Sequence, residues 1–483
     1  MYEHLSDFLG GPPTAYHIAL YSSWSRYDWG MVITGNVQVS PSHLTLGRDL
    51  IVPEKLNDVS LKPYKALASA MKGPDRRTLA VMQLSHAGRQ SSNFIGGRYP
   101  FERPLAPSAI PVGSSSSQDD PVAAMIQSVL FQTPKEMSLE DINDVVRRFV
   151  KGARLAHRTG FDGVELHVAH GYLLAQFLSP KSNKRKDEYS LRSENGLRLL
   201  HQIVDAIRTA VSPRFIIGVK FNASDYLPDT SMKSHRQNSD SEETRALQHV
   251  LSLASWGKVD FIDITGGDYE DPKYMATNEA NSGHRQALFA RFSRQALKAL
   301  NAAGFKYSSR PAIILTGGLR APSLLQSALQ SGQTDMLGIG RGAVICPNIP
   351  EIMQEYEQSP RNDGGDTPFG DEPDLPPPTW WPLGPIWNTF SKIKLIGAGL
   401  NMAWYTLMLR RRAAAELRRS QALGKVDLSV TEPDYTIGAL RTLIHFVVWM
   451  PNPRKRGARS PISLSLITAG GLFLSLLLAC FLA

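Results

Sequence analysis

The stretch Gly160-Phe161-Asp162-Gly163-Val164-Glu165-Leu166-His167-Val168-Ala169-His170-Gly171-Tyr172-Leu173-Leu174 decides the fold. Gly163 to Val168 has the length and apolar content of a strand, and it runs directly into two histidines and a tyrosine. The residues that follow, Leu173-Leu174-Ala175-Gln176-Phe177-Leu178, have helical character. Catalytic groups of a parallel β/α protein gather at the C-terminal ends of its strands, where loops vary while the barrel holds them. Polar rings at such a point are costly to place unless the chemistry uses them.

Outward from this stretch the pattern repeats. Apolar runs of strand length occur at Met31–Gly35, Leu79–Leu84, Gly163–Val168, Phe215–Phe221, Phe261–Thr265, Ile313–Thr316 and Met336–Ile339. Amphipathic helical stretches separate most of them: Leu139–His157, Glu194–Ala210, Ser241–Ser255, Gln286–Ala303 and Ala321–Ser331. Strands alternating with helices imply a parallel sheet with helices outside it. Seven strands is one short of a (β/α)8 TIM barrel, and Thr14 to Trp29, ahead of the first strand, is already helix-like. The expected fold is therefore a TIM barrel without its first strand, which would precede residue 1.

Composition narrows the function. A net charge of +9 suggests nucleic acid, but the basic clusters are late: Arg410-Arg411-Arg412, Arg418-Arg419 and Arg454-Lys455-Arg456. No comparable run interleaved with aromatics occurs in the first 350 residues, so no nucleic-acid partner is expected. Two cysteines, Cys346 and Cys480, exclude a disulfide framework and a cysteine-held iron–sulfur cluster. They fit a reducing compartment, and Met1-Tyr2-Glu3-His4 opens no secretory signal.

The C-terminal third divides further. Residues 358–385 are rich in Gly, Pro and Asp and read as a linker closing a 1–357 barrel. Residues 386–450 form a helix-compatible annex, free to pack on the barrel or lie on a bilayer surface. After a basic segment, 451–460, the uncharged run 461–483 is long enough to cross a hydrocarbon core of roughly 30 Å. The expectation is a transmembrane tail anchor with the catalytic domain facing the cytosol.

Two glycine motifs close the barrel region: Leu315-Thr316-Gly317-Gly318-Leu319-Arg320 and Leu337-Gly338-Ile339-Gly340-Arg341-Gly342. Glycines after the last two barrel strands let backbone N–H groups approach a phosphate. With Ile33-Thr34-Gly35-Asn36, Gln83-Leu84-Ser85-His86-Ala87-Gly88-Arg89-Gln90, the 160–174 stretch and Gln176-Phe177-Leu178-Ser179-Pro180, they fall in one order across nearly all of residues 1–357. In that order the chain resembles the Old Yellow Enzyme family of FMN-dependent ene-reductases, the NADH:flavin oxidoreductase group.

The resemblance implies FMN at the barrel mouth, NADPH or NADH as reductant, and hydride transfer to the β-carbon of an α,β-unsaturated carbonyl compound. It assigns His167 and His170 as donors to the carbonyl oxygen, an oxyanion-type stabilisation. Tyr172 becomes the acid toward the α-carbon. Gln83 and Lys220 would reach the pyrimidine edge of the flavin, and the Gly35 backbone would lie against its ring. Gly318, Gly340 and Arg341 would hold the phosphate, with the guanidinium as a bidentate donor. A metal on the histidine pair lacks a third ligand nearby. His86 and Arg89 read as scaffold.

Departures accompany the resemblance. The first strand and its flavin contacts are missing, and the family's Gly-Gly-Ser after the tyrosine is Ser190-Leu191-Arg192-Ser193 here. An open barrel is expected to expose strand edges, bind FMN weakly and aggregate. A flavin-free barrel serving as a scaffold, and an NADH oxidase or dehydrogenase of another substrate class, stay open beside the ene-reductase. Oligomeric state and natural substrate are not legible.

Overall fold

The computed structural model describes residues 3–113, 121–191, 196–223, 233–267, 279–358 and 399–422, with Phe369, Gly370, Leu375, Thr442 and His445. In chain order the elements are α1 (Ala15–Trp24), β1 (Met31–Ile33), β2 (Val37–Gln38), β3 (Leu50–Ile51), α2 (Asp58–Lys72), β4 (Leu79–Ser85), β5 (Leu105–Ala106), α3 (Pro121–Leu130), β6 (Lys135–Glu136) and α4 (Leu139–Arg158). Then come β7 (Gly163–Val168), α5 (Leu173–Leu178), α6 (Arg198–Ala210), β8 (Ile216–Asn222), α7 (Lys233–Ser255), β9 (Phe261–Thr265), α8 (Glu279–Ala302), β10 (Ala312–Thr316), α9 (Pro322–Gln330), β11 (Met336–Gly338), α10 (Arg341–Ile345) and α11 (Ile349–Gln358). A last helix, α12, spans Gly399–Ala422. The main sheet is parallel throughout, running β11-β10-β9-β8-β7-β4, after which β1 and β2 both pair with β4 and β3 with β2. All seven strands expected from the sequence are present, within one or two residues at their ends.

Strand alternation builds two cores. Val164, Leu166 and Val168 of β7, Ile217 and Val219 of β8 and Ile262 and Ile264 of β9 belong to one large cluster with the helix residues Phe149, Ile203 and Val250. The alternate residues Val81, Phe261 and Ile314 form a separate inner plug, supported by Met31, Ile33, Ile216 and Ala312. One face of each strand thus binds helices and the other fills the barrel, as period-2 geometry requires. Each large aliphatic side chain fully buried in this way contributes about 1.5–3 kcal/mol.

The lower rim is fixed by a repeated device. Asp162, Asp260 and Asp335 each immediately precede a strand or lie within one residue of it. Each accepts the backbone N–H of a residue on the neighbouring strand: Ala80 at 2.8 Å, Ile217 at 2.7 Å and Ile313 at 2.8 Å. Each also pairs with a cation, Lys72, Arg208 or Arg310. The aspartates satisfy N–H groups at the strand starts and set the register from below.

Between β1 and β11 no pairing occurs among the described residues. This seam, where an eighth strand would stand, is bridged by side chains. Trp24 donates its indole N–H to the Ala343 carbonyl at 2.8 Å, and Trp29 donates to that of Pro347 at 2.8 Å. The helix α12 packs on α1 and α10. It buries Trp404, Tyr405, Met408 and Leu409, and Arg412 donates to the carbonyls of Val344 and Ile345. Arg26 of the segment after α1 pairs with Glu416. The bare seam expected from the strand count is therefore covered by this helix, although Met336 on β11 stays 37% exposed.

α12 is the described stretch within the expected 386–450 annex, and that stretch packs on α1 and α10. Among the described residues no helix is long and apolar enough to cross a membrane. The expected linker, 358–385, is outside the described residues apart from Gln358, which ends α11, and Phe369, Gly370 and Leu375, and the expected anchor, 461–483, lies wholly outside them.

Candidate active site

At the top of β7 the backbone turns through two left-handed residues, His170 at φ 58° and Gly171 at φ 74°. The glycine takes this conformation freely, whereas the histidine is held there against its preference. Its peptide N–H donates to Asn222 Oδ1 at 3.4 Å and its carbonyl accepts from Gln90 Nε2 at 3.0 Å. The turn stacks three rings. His167 meets Tyr172 edge-on with centroids 4.7 Å apart and His170 at 5.2 Å.

His170 Nδ1 lies 3.4 Å from His167 Nε2, and its Nε2 lies 3.4 Å from Thr265 Oγ1. Burial holds both imidazoles well below the ordinary histidine range. The neighbouring His170 and Lys220 add to this for His167, and Lys220 adds for His170. Both are neutral donors at neutral pH, each with one N–H to give.

Beside and below these rings the barrel interior is polar. Lys220 stands beside His167 in the β7–β8 register and donates to Asp263 on β9. Asp263 also accepts from the Thr316 hydroxyl at 2.5 Å. Gln83 on β4 donates to Asn36 Oδ1 at 2.7 Å, and its backbone N–H to Thr34 Oγ1 at 3.0 Å. Glu165 faces Gln83 across the β4–β7 register. The Gly35 N–H donates to Glu3 at 3.0 Å and to the Tyr21 hydroxyl at 2.9 Å, and Tyr21 itself donates to Glu3. Burial raises the Glu3 carboxyl above its usual range and, with the Glu3 charge, the Tyr21 phenol as well.

A cavity of about 280 Å³ opens onto this layer, close to the lower end of the roughly 300–1,000 Å³ of small-molecule sites. Gly35, Gln83, Lys220 and Gly340 line it, with Glu3, Glu165, Asp263 and Thr316, and Leu409 of α12 closes its seam side. Four of the six flavin contacts drawn from the sequence thus share one space. Gly318 and Arg341 do not line it, nor do His167, His170 and Tyr172. Gly318 sits at φ 72° after β10, and the Arg341 guanidinium lies 6.0 Å from the centre of the Tyr405 ring on α12. His86 and Arg89 are buried scaffold: His86 accepts from the Gly88 N–H at 3.1 Å, and Arg89 donates to the carbonyls of Ile110 and Pro111.

Sequence reading missed Glu165, Asp263 and Glu3. For the first two a signal existed, a carboxylate at an inward position of an otherwise apolar strand. Glu3 carried none.

Residues 9–359 match the NADH:flavin oxidoreductase / NADH oxidase family, a match that ends one residue beyond α11. The chain belongs to that family. This is the Old Yellow Enzyme group of the sequence reading. The chain is 33% identical over 445 residues to the NADH-dependent flavin oxidoreductase iliE of Neonectria sp., covering 89% of this chain and 54% of that one. It is 30% identical to the NADPH dehydrogenase of Bacillus licheniformis, over 71% of this chain and 84% of that protein. Morphinone reductase shares the fold with a TM-score of 0.51 and 20% identity, over 72% of this chain and 84% of that one. The chain thus spans just over half of the Neonectria relative and most of the others.

Membership gives the chain FMN as its cofactor, with NADH or NADPH as reductant. The donor set fits that group. The cavity presents an amide, a lysine ammonium and an opening beside Gly340, where a Cβ would meet nothing within 4 Å.

Proposed function

We propose that this flavin-dependent oxidoreductase reduces the C=C bond of α,β-unsaturated carbonyl compounds. The observation that carries the reading is the His167–His170–Tyr172 cluster at the end of β7, with His167 level with Lys220 in the β7–β8 register and Gln83 level with Glu165, two residues below. In this reading Gln83, Lys220 and the Gly35 backbone hold the flavin ring, and Gly318, Gly340 and Arg341 hold its phosphate. FMN, when bound, supplies the hydride it has received from NADH or NADPH.

The protein residues supply the rest. His167 and His170 donate to the substrate carbonyl oxygen, which replaces their contact with each other. Negative charge grows on that oxygen as the β-carbon is attacked, so neutral donors fixed in a buried turn stabilise the transition state more than the ground state. Tyr172, 1% exposed and edge-on to His167, delivers a proton to the α-carbon.

The test is product analysis. Purified protein with FMN, given NADPH or NADH and an enone under nitrogen, should convert it stoichiometrically to the saturated ketone. Reductant consumption only with oxygen, and an unchanged enone, would replace this reading with an NADH oxidase. For residues 461–483, the uncharged length and basic flank support a tail anchor that leaves the barrel in the cytosol. Removal of those residues should then release the protein from membranes.

A further inference from the structure

Glu165 is an acidic residue in the middle of a fully buried strand, and neither the flavin contacts nor the proton donor above it uses it. Its side chain is 0% exposed, and neither carboxyl oxygen has a hydrogen-bond partner among the described residues. The surroundings explain why. On the β8 side it faces Gly218, a position filled by the Phe261 ring, which would lie 2.0 Å from a Cβ there. Below it lies the plug of Val81, Phe261 and Ile314. On the β4 side it faces Gln83, which gives one amide N–H to Asn36 and makes no hydrogen bond to Glu165. The open direction is the cavity, which Glu165 lines with Lys220 and Asp263.

We propose that Glu165 is the proton-exchanging group beneath the cofactor: it lies protonated when uncharged and, wherever it is ionised, takes up one solvent proton when negative charge is placed against Lys220. The proposal rests on reading the cavity as the flavin site. The charged and titratable groups around Glu165 are Lys220 on β8, Asp263 on β9, His167 farther along β7, and Glu3 and Tyr21 across the cavity; β4 offers only the Gln83 amide.

Lys220 is already neutralised by Asp263, so it has no spare charge for a second carboxylate. An ionised, unpaired Glu165 would carry the full desolvation cost of a buried anion. Burial accordingly pushes its carboxyl up to about 8, against a smaller opposing pull from Lys220. The site can then accept one negative charge at neutral pH without two anions facing each other. Above that value Glu165 is ionised in the oxidised protein, and added negative charge raises its proton affinity further. In that range only, reduction takes up one proton beyond the one that accompanies hydride; it comes from solvent and ends on a Glu165 oxygen.

Two measurements on the full chain test this. In the protein without FMN, infrared spectroscopy should show a protonated-carboxyl band that titrates near pH 8 and is missing in Glu165→Gln. In the FMN-loaded protein, the midpoint potential should follow one proton per two electrons below about pH 8 and two protons per two electrons above it. Glu165→Gln should keep the one-proton slope throughout. A band that titrates near pH 4.5, or identical slopes in both proteins, overturns the proposal. The first measurement does not involve flavin, so failure of FMN to bind would count against the function reading alone.

Discussion

The Trp24 indole N–H donates to the Ala343 carbonyl at 2.8 Å, joining residues 319 positions apart across the seam where, among the described residues, β1 and β11 do not pair. The bond ties α1 to α10 and leaves the seam to be covered by α12. A net contribution of about 0.5–1.5 kcal/mol is expected of such a bond. Trp24→Phe keeps most of the apolar area and should cost about that much in denaturant unfolding.

Leu409 is 1% exposed and forms the cavity wall that β1 and β11 leave open. Leu409→Ala should lower stability by about 2–5 kcal/mol, the range for a truncated core leucine. It should also weaken FMN binding, because it widens the cavity on the seam side. An unchanged midpoint of unfolding would show that α12 only lies against the barrel.

Lys220 and Asp263 form a buried ion pair, 14% and 3% exposed. Asp263→Asn removes the countercharge and leaves a buried cation. Breaking such a pair from one side costs about 3–5 kcal/mol. Bound reduced flavin should recover part of that loss, since its negative charge replaces the missing carboxylate. Thermal unfolding with oxidised and with reduced cofactor measures the difference.

Several histidines are buried in the neutral form. Burial, helped by nearby cations, brings His4 and His86 down to about 3. Unfolded histidine binds a proton near 6.5, so between 6.5 and 3 the unfolded chain holds more protons than the folded one. Their contribution is present above 6.5 and is lost as pH falls toward 3. Stability should decline steadily from pH 6.5 downward. His86→Gln should flatten the decline, which urea titrations at several pH values would reveal.

Tyr172→Phe should lower enone reduction by about 10²- to 10⁴-fold while flavin reduction by NADPH or NADH proceeds as before. His167→Ala should cost about 10²- to 10³-fold, as loss of one oxyanion donor does. Stopped-flow measurement of the two half-reactions separates these effects. Equal slowing of both halves would place the residues in cofactor binding.

The frame was legible because its signals are local. Apolar runs marked all seven strands of the expected frame, and the Gly163–Val168 and Phe261–Thr265 limits coincide with those observed. Histidines and a tyrosine behind a strand marked the three rings that meet at the end of β7. The short strands β2 and β3 and the helix α2 escaped notice, since two residues carry no period and α2 has Pro63 within it. The covering of the seam by α12, and the capture of the Gly35 N–H by Glu3, depend on contacts between residues far apart in sequence. No window of local pattern contains them.

The most direct measurement is a single turnover under nitrogen. FMN-loaded protein is reduced with one equivalent of NADPH or NADH, then mixed with 2-cyclohexenone. The flavin absorbance should return in step with one equivalent of cyclohexanone. Flavin that stays reduced until air is admitted, with the enone intact, would contradict the ene-reductase reading.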